Sequence, residues 1–456
     1  MVCLNVGTVI DRDSALWGRL RAWPKVELHR HLEGSIRLST LIDIAREFNL
    51  PLPSTDPERL RPLVQITDDD EPTCSVFLSK FETLRQFYHS PDVVRRITHE
   101  AIEDAARDNV TYMELRFTPA ALARHNGHDY ETIIGTVCDA ARHAQAAYGI
   151  TVRLIVSVNR HESVDTARAV IQAALALRPR EVVAVDLAGK EIGYPVRPFE
   201  PLFRRAREAG LHLTVHAGEW DGPHNVGEAV RHMGAERIGH GVRIAEDPAV
   251  IRLVRERGVT LEVCPTSNLY SGVVGSLATH PLIDLAAQGV LTTINTDDPA
   301  LCNIALTDEL MVAHVALGLS LDAIRQNIVN AARAAFLPDG ERADGEKIDR
   351  SKHRDAIRAM YHGGLGNDHP DVAGTKWAAY SAVTEYVDHG RAYHKSDSGE
   401  AAEVRPGVED ELRGYARDLM RGASGYERLE GETKVEYGQV RYKYCLLPAW
   451  VLTYKG

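Results

Sequence analysis

Eight short apolar runs rich in β-branched residues recur between Val26 and Asp298, and no other feature constrains the fold as much. They occupy 26–31, 110–118, 151–159, 182–187, 211–216, 237–240, 259–264 and 290–295. From the third run onward, helical patterns separate them. Asp247-Pro248 opens one helix as N-cap and first-turn proline, Val250, Ile251 and Val254 mark its buried face, and Gly258 closes it. Ser90-Pro91 opens another, with Val94, Ile97, Ala101 and Ala105 at helical spacing. An open doubly wound sheet competes with this pattern. Eight strand–helix units in about 270 residues, with no sheet edge left over, instead predict a closed α/β architecture, the (β/α)8 TIM barrel.

The segment between the first two runs, 35–109, is unusually long. It holds the polar loop Thr67-Asp-Asp-Asp-Glu-Pro72 and then the apolar-faced Phe77-Leu-Ser-Lys-Phe81. An insertion there is expected to form a helical lid over the mouth of the barrel. A helix around 321–336 completes the periphery. Beyond about Ala343 the βα rhythm stops, so the chain is expected to comprise a barrel over 1–343 and a C-terminal extension over 344–456. Within the extension, 395–407 reads as a linker.

Composition narrows the function classes. A net charge of −11 without a concentrated basic stripe argues against a nucleic-acid surface. The start lacks the basic and long apolar regions of a signal peptide, and no apolar stretch approaches the ~20 residues of a spanning helix. The six cysteines are widely spaced, with no Cys-x-x-Cys pair, which fits neither a disulfide scaffold nor a cysteine zinc ribbon. The expectation is a reduced, soluble, cytoplasmic protein, its oligomeric state open.

Five stretches at the ends of the predicted strands carry the chemistry: His29-Arg-His31, Asp186-Leu-Ala-Gly189, His216-Ala-Gly-Glu219, Gly239-His240-Gly241 and Asp297-Asp298. His29 and His31, two apart on a strand, share one face. Together with His216 and Asp297 they make three histidines and one carboxylate, the ligand set of a catalytic zinc with an open position. Glu219 is a candidate proton shuttle, although alone it would read equally as a loop glutamate. His240 lies where a base would orient or deprotonate a bound water; taken alone, it would read as a buried histidine bonded to backbone. Asp298 suits a hydrogen bond to substrate and, equally, the N-cap of the next helix through Asp298-Pro299.

The ordered motifs Pro24-Lys-Val-Glu-Leu-His-Arg-His-Leu-Glu-Gly34, Asp186-Leu-Ala-Gly189, Val215-His-Ala-Gly-Glu219, Arg237-Ile-Gly-His-Gly-Val242, Cys264-Pro-Thr-Ser-Asn268 and Asn295-Thr-Asp-Asp-Pro299 resemble those of the adenosine/adenine deaminases. The resemblance spans roughly 23–343. It implies one zinc ion per chain, held by His29, His31, His216 and Asp297, and an activated water that attacks C6 of a purine. It further implies that Glu219 protonates N1, His240 assists the water, the Gly189 N–H binds N3 and Asp298 binds N7. Phe77, Leu78 and Phe81 would cover the base, and His31 and Glu33 would also face the substrate. The implied reaction converts adenosine or 2′-deoxyadenosine to the inosine product and ammonia. The His-x-Glu and Pro-Cys-x-x-Cys pattern of the other deaminase architecture is absent.

Two positions depart from the family pattern. Glu33 stands where adenosine deaminases usually have Asp, and resembles relatives acting on adenine or on 5′-modified adenosines. Gly239 is of the adenosine type, so the two signals conflict and a nucleoside is the preferred expectation. Lys190, after Gly189, opens a binuclear alternative in which a carbamylated lysine bridges two metals and His240 becomes a ligand. In the extension, 374–386 resembles part of a plasmid- and phage-associated protein family.

Overall fold

The computed structural model describes residues 2–4, 8–50, 56–125, 127–177, 181–336 and short strands between 387 and 441. The chain divides into two compact units, Met1–Tyr361 and His362–Gly456. The first holds eight parallel strands: β1 (Lys25–His31), β2 (Val110–Phe117), β3 (Thr151–Asn159), β4 (Val182–Ala188), β5 (His212–Ala217), β6 (Arg237–His240), β7 (Thr260–Val263) and β8 (Leu291–Ile294). Each pairs with the next in sequence order. The last meets the first through a parallel bridge between Arg30 and Asp297, where His31 N–H donates to the Asp297 carbonyl at 2.8 Å and Asp297 N–H donates to the His29 carbonyl at 2.9 Å. The result is the expected (β/α)8 barrel.

Burial on both faces explains the continuous apolar runs. Every residue of β4 is buried, one face against helices and one in the barrel interior. Helix starts follow the sequence signals: Ser90 Oγ accepts from Val93 N–H at 3.2 Å to cap Pro91–Arg107, and Asp247 accepts from Ala249 N–H at 2.8 Å to cap Pro248–Glu256.

The floor of the barrel is sealed. Arg237, at the start of β6, pairs with Glu262 at 2.6 Å and with Glu114, and its guanidinium lies 3.6 Å over the Phe336 ring. The Phe336 N–H and the Tyr112 hydroxyl donate to Glu114 Oε1 at 2.6 and 2.8 Å. Phe336, just past the helix Leu321–Ala334, also packs on Ile155, Val183 and Ala184, plugging the N-terminal end.

The long excursion after β1 is helical, as expected, with helices Leu38–Glu47, Pro57–Val64, Cys74–Leu84 and Pro91–Arg107. Helix Cys74–Leu84 is tied to its surroundings by Lys80, whose ammonium donates to the Pro62 carbonyl and to Asp70, each at 2.6 Å.

In the second unit, Val387–Asp388, Arg391–Lys395 and Ala401–Glu403 form a three-stranded antiparallel sheet, and Lys434–Glu436 pairs with Gln439–Arg441. The stretch 395–407 is therefore not simply a linker, since part of it is a paired strand. Backbone pairing orders a segment whose polar composition signals no packing face. The expected boundary at 343/344 and the run 374–386 lie outside the described residues.

Candidate active site

At the C-terminal end of the barrel, His29 and His31 project from the end of β1, His216 from β5 and His240 from the last position of β6. Asp297 follows β8. Ligand-capable atoms of His29, His31, His216 and Asp297 all lie within 4.8 Å of one another. His31 Nε2 is 3.2 Å from His216 Nε2, and Asp297 Oδ1 is 3.2 Å from His29 Nε2 and 3.3 Å from His31 Nε2. The four predicted ligands thus converge.

The outer nitrogens show why these groups suit a cation. His29 Nδ1 donates to Glu262 Oε2 at 2.7 Å, and His216 Nδ1 donates to Asp186 Oδ1 at 3.0 Å. Each carboxylate fixes the proton on Nδ1 and turns a bare Nε2 lone pair inward, the usual support for a metal-binding histidine. His29 Nε2 is buried without a hydrogen-bond partner. Arg116 in turn clamps both carboxylates, at 2.6 Å to Glu262 and 3.3 Å to Asp186.

Close packing at the centre requires glycine at 239. A Cβ there would come within 2.9 Å of His29 Cε1 and 3.1 Å of His216 Cγ. Backbone strain concentrates at the same place. His240 (φ 59°) and Asp297 (φ 60°) are the positive-φ residues other than Gly and Asn among the described residues. Such conformations cost roughly 1–3 kcal/mol and persist only where the surroundings enforce them.

A chain of hydrogen bonds sets the tautomer of His240. The Leu282 N–H donates to His280 Nδ1 (3.1 Å), so His280 carries its proton on Nε2 and donates to Asn268 Oδ1 (3.2 Å). Asn268 Nδ2 then donates to His240 Nδ1 (3.1 Å), leaving the His240 proton on Nε2. That Nε2 lies 3.5 Å from Glu219 Oε1 and 3.8 Å from Asp297 Oδ2. Burial pushes the His240 imidazole well below its ordinary value, so the ring is neutral.

Burial, reinforced by the nearby Asp297, Glu191 and Asp298 carboxylates, holds the Glu219 carboxyl well above the usual range, which favours its protonated form. Burial and then the Asp297 charge do the same to Asp298. Asp298 makes no side-chain cap bond to the helix Pro299–Cys302, and its Oδ1 has no hydrogen-bond partner. The capping alternative therefore does not account for it.

The predicted substrate contacts line one pocket with these groups: His31, Glu33, Phe77, Leu78, Phe81, Gly189 and Asp298. Glu33 Oε1 accepts from the Thr118 N–H at 2.6 Å, its Oε2 is buried without a partner, and burial lifts its pKa to about 7. Arg85, Tyr88, Thr118, Asn159, His161 and Trp220 also line the pocket and were not anticipated. Their signal was positional: Thr118, Asn159 and His161 directly end or follow β2 and β3. Lys190 is exposed and does not line this pocket, which weighs against the bridging role that the binuclear alternative gives it.

Comparison with known proteins agrees with this geometry. The sequence profile of the adenosine deaminase family matches residues 24–349, and that of a domain of unknown function matches 319–413. An adenosine deaminase of Erwinia tasmaniensis is 43% identical over 320 residues, covering 70% of this chain and 96% of the relative. One of Salmonella heidelberg is 42% identical over 326 residues, covering 71% and 97%. Among solved structures, an adenine deaminase of Arthrobacter aurescens superposes with a TM-score of 0.67 at 28% identity, covering 74% of this chain and 98% of that one. A zinc-bound amidohydrolase of Burkholderia ambifaria gives 0.67 at 26% identity, covering 78% and 97%. The chain belongs to the adenosine deaminase family, and it is a purine-deaminating hydrolase.

Proposed function

We propose that the protein hydrolytically deaminates adenosine and 2′-deoxyadenosine at C6, releasing ammonia, with one zinc ion held by His29, His31, His216 and Asp297. The carrying observation is that ligand cluster sharing one pocket with the buried Glu219 carboxyl, whose pKa burial and the neighbouring carboxylates raise. The inward-facing Nε2 lone pairs of His29 and His216 beside the Asp297 carboxylate fit a divalent cation of this type. Zinc bound there supplies a water of lowered pKa as nucleophile at neutral pH.

The chain's own residues do the rest. Glu219 delivers its proton to N1, which makes C6 more electrophilic; the resulting carboxylate then takes the proton of the oxygen added at C6 and passes it to the amino group, which leaves as ammonia. His240, neutral with its proton on Nε2, donates a hydrogen bond that orients the attacking oxygen. Purine N7 accepts hydrogen bonds, so Asp298 serves it in the protonated form that burial and Asp297 favour. Gly189 lines the pocket where its N–H meets N3. Phe77, Leu78 and Phe81, on helix Cys74–Leu84, cover the base and exclude water.

Adenine is the second reading. It is favoured by Glu33 and by the likeness to the Arthrobacter aurescens enzyme, whereas the more similar relatives are adenosine deaminases. Ultraviolet absorbance with adenosine, 2′-deoxyadenosine, adenine and 5′-modified adenosines, with and without chelator, tests both. Turnover of the nucleosides, abolished by chelator and restored by zinc, is expected; turnover of adenine alone would replace the first reading with the second. The extension is proposed to be accessory. A chain ending at Ala343 retains the Phe336 plug and is expected to keep its metal and activity, and loss of both would place the extension in the core.

A further inference from the structure

The loop that carries Glu219 is organised around a second carboxylate. Glu191, just past β4, is 2% exposed. Its Oε1 accepts from the Gly218 N–H at 2.7 Å. Its Oε2 accepts from the N–H groups of Glu219, Trp220 and Asp221 at 3.0, 2.9 and 3.1 Å. Four successive backbone donors thus close on one side chain, the arrangement in which backbone nests bind anions. The same segment is held from two further elements. Arg243 N–H donates to the Gly218 carbonyl at 3.0 Å, and the buried Arg160 guanidinium donates to the His216 carbonyl. Glu191 does not line the substrate pocket. An apolar side chain of similar volume would fill its space but strand the four N–H groups, each at a cost of about 1–3 kcal/mol.

We propose that Glu191 is the positioning residue for Glu219: its carboxylate sets the backbone path of residues 218–221 and thereby aims the Glu219 carboxyl at the purine N1. This rests on Glu219 being the proton donor. E191Q is the informative change. Whichever way the amide is turned, one acceptor oxygen becomes an NH2 group, so either the Gly218 bond or the three bonds to residues 219–221 are lost with little change of shape.

The test measures kcat and KM for adenosine in E191Q, E219Q and the double variant of the full chain, with zinc content and thermal midpoint recorded for each. E191Q is expected to lower kcat about 10- to 100-fold, the scale of a misplaced catalytic group. KM should stay within about threefold and zinc content should not change. In the E219Q background the same substitution should cost less than about twofold, because a displaced loop cannot misplace a carboxyl that has been removed. Equal losses in both backgrounds, or an unchanged kcat in E191Q, would overturn the proposal. An E219Q enzyme with full kcat would overturn the Glu219 assignment and this proposal with it. E191D, which keeps the charge one methylene short, enters the same cycle if E191Q does not fold, with the same outcomes deciding.

Discussion

The two ends of the barrel bury charge in opposite ways. At the floor, each Glu114 oxygen is matched: Oε1 accepts from Tyr112 and Phe336, and Oε2 pairs with Arg237, which also reaches Glu262. At the mouth, His29 Nε2, Glu33 Oε2 and Asp298 Oδ1 are buried without partners, and His240 and Asp297 hold left-handed backbone. Glu262 touches both ends, pairing with Arg237 through Oε1 and with His29 through Oε2. A saturated network secures the fold. Polar groups left open, beside strained backbone, mark a place set aside for a ligand.

The comparison can be broken by removing one group at each end. At the mouth, E219Q takes away the proposed proton donor while keeping volume. It should lower kcat by about 10³-fold with unchanged zinc content and thermal midpoint, as steady-state kinetics and metal analysis would read. Retention of more than a tenth of the activity would sink that role. At the floor, E114Q should do the reverse. Weakening a buried ion pair and the Phe336 bond should cost about 3 kcal/mol in urea unfolding, while kcat stays within about threefold. A floor variant that lost activity and kept stability would dissolve the distinction.

Two smaller effects sharpen it. Burial pushes the His280 imidazole down to about 4. Its folded pKa lies below its unfolded value of ~6.5, so the unfolded chain binds the extra proton. Stability is then full above about pH 6.5 and is lost as pH falls towards 4. Between pH 7.5 and pH 5 this one group should cost the native protein about 2 kcal/mol. H280Q should lack that share of the decline, and an identical pH dependence in the two proteins would show that His280 does not titrate this way. N268D removes the donor to His240 Nδ1 and lets the opposite tautomer form. A fall in kcat of about tenfold is expected, with KM little changed. Unaltered kcat would mean that the tautomer of His240 does not matter to the reaction.

Much of the site was legible because its residue types have few other uses at strand ends. His29 and His31 share a face by spacing alone, and Asp297-Asp298 ends the eighth run. The supporting groups were not legible. Glu262 and Arg116 are charged residues inside otherwise apolar strands, and their partners lie 146 positions apart in the chain. Buried charge in a barrel strand was the available signal, but only the register of β2 against the rest of the barrel says which charges meet. Glu191 was overlooked beside Lys190, whose exposure places it outside the site. Sequence also left Asp298 divided between cap and substrate contact, and the missing side-chain cap bond removes the first of these.

By itself, then, the sequence determined the barrel, the four residues that converge as candidate metal ligands and the deaminase family, since periodicity and ligand type are written locally along the chain. Tertiary structure alone decided the environment of each group: which imidazole nitrogen faces inward, why the pKa values of Glu219 and Asp298 are raised, and what holds the loop of residues 218–221. Those properties depend on distance and burial among groups far apart in the chain, and a linear pattern records neither.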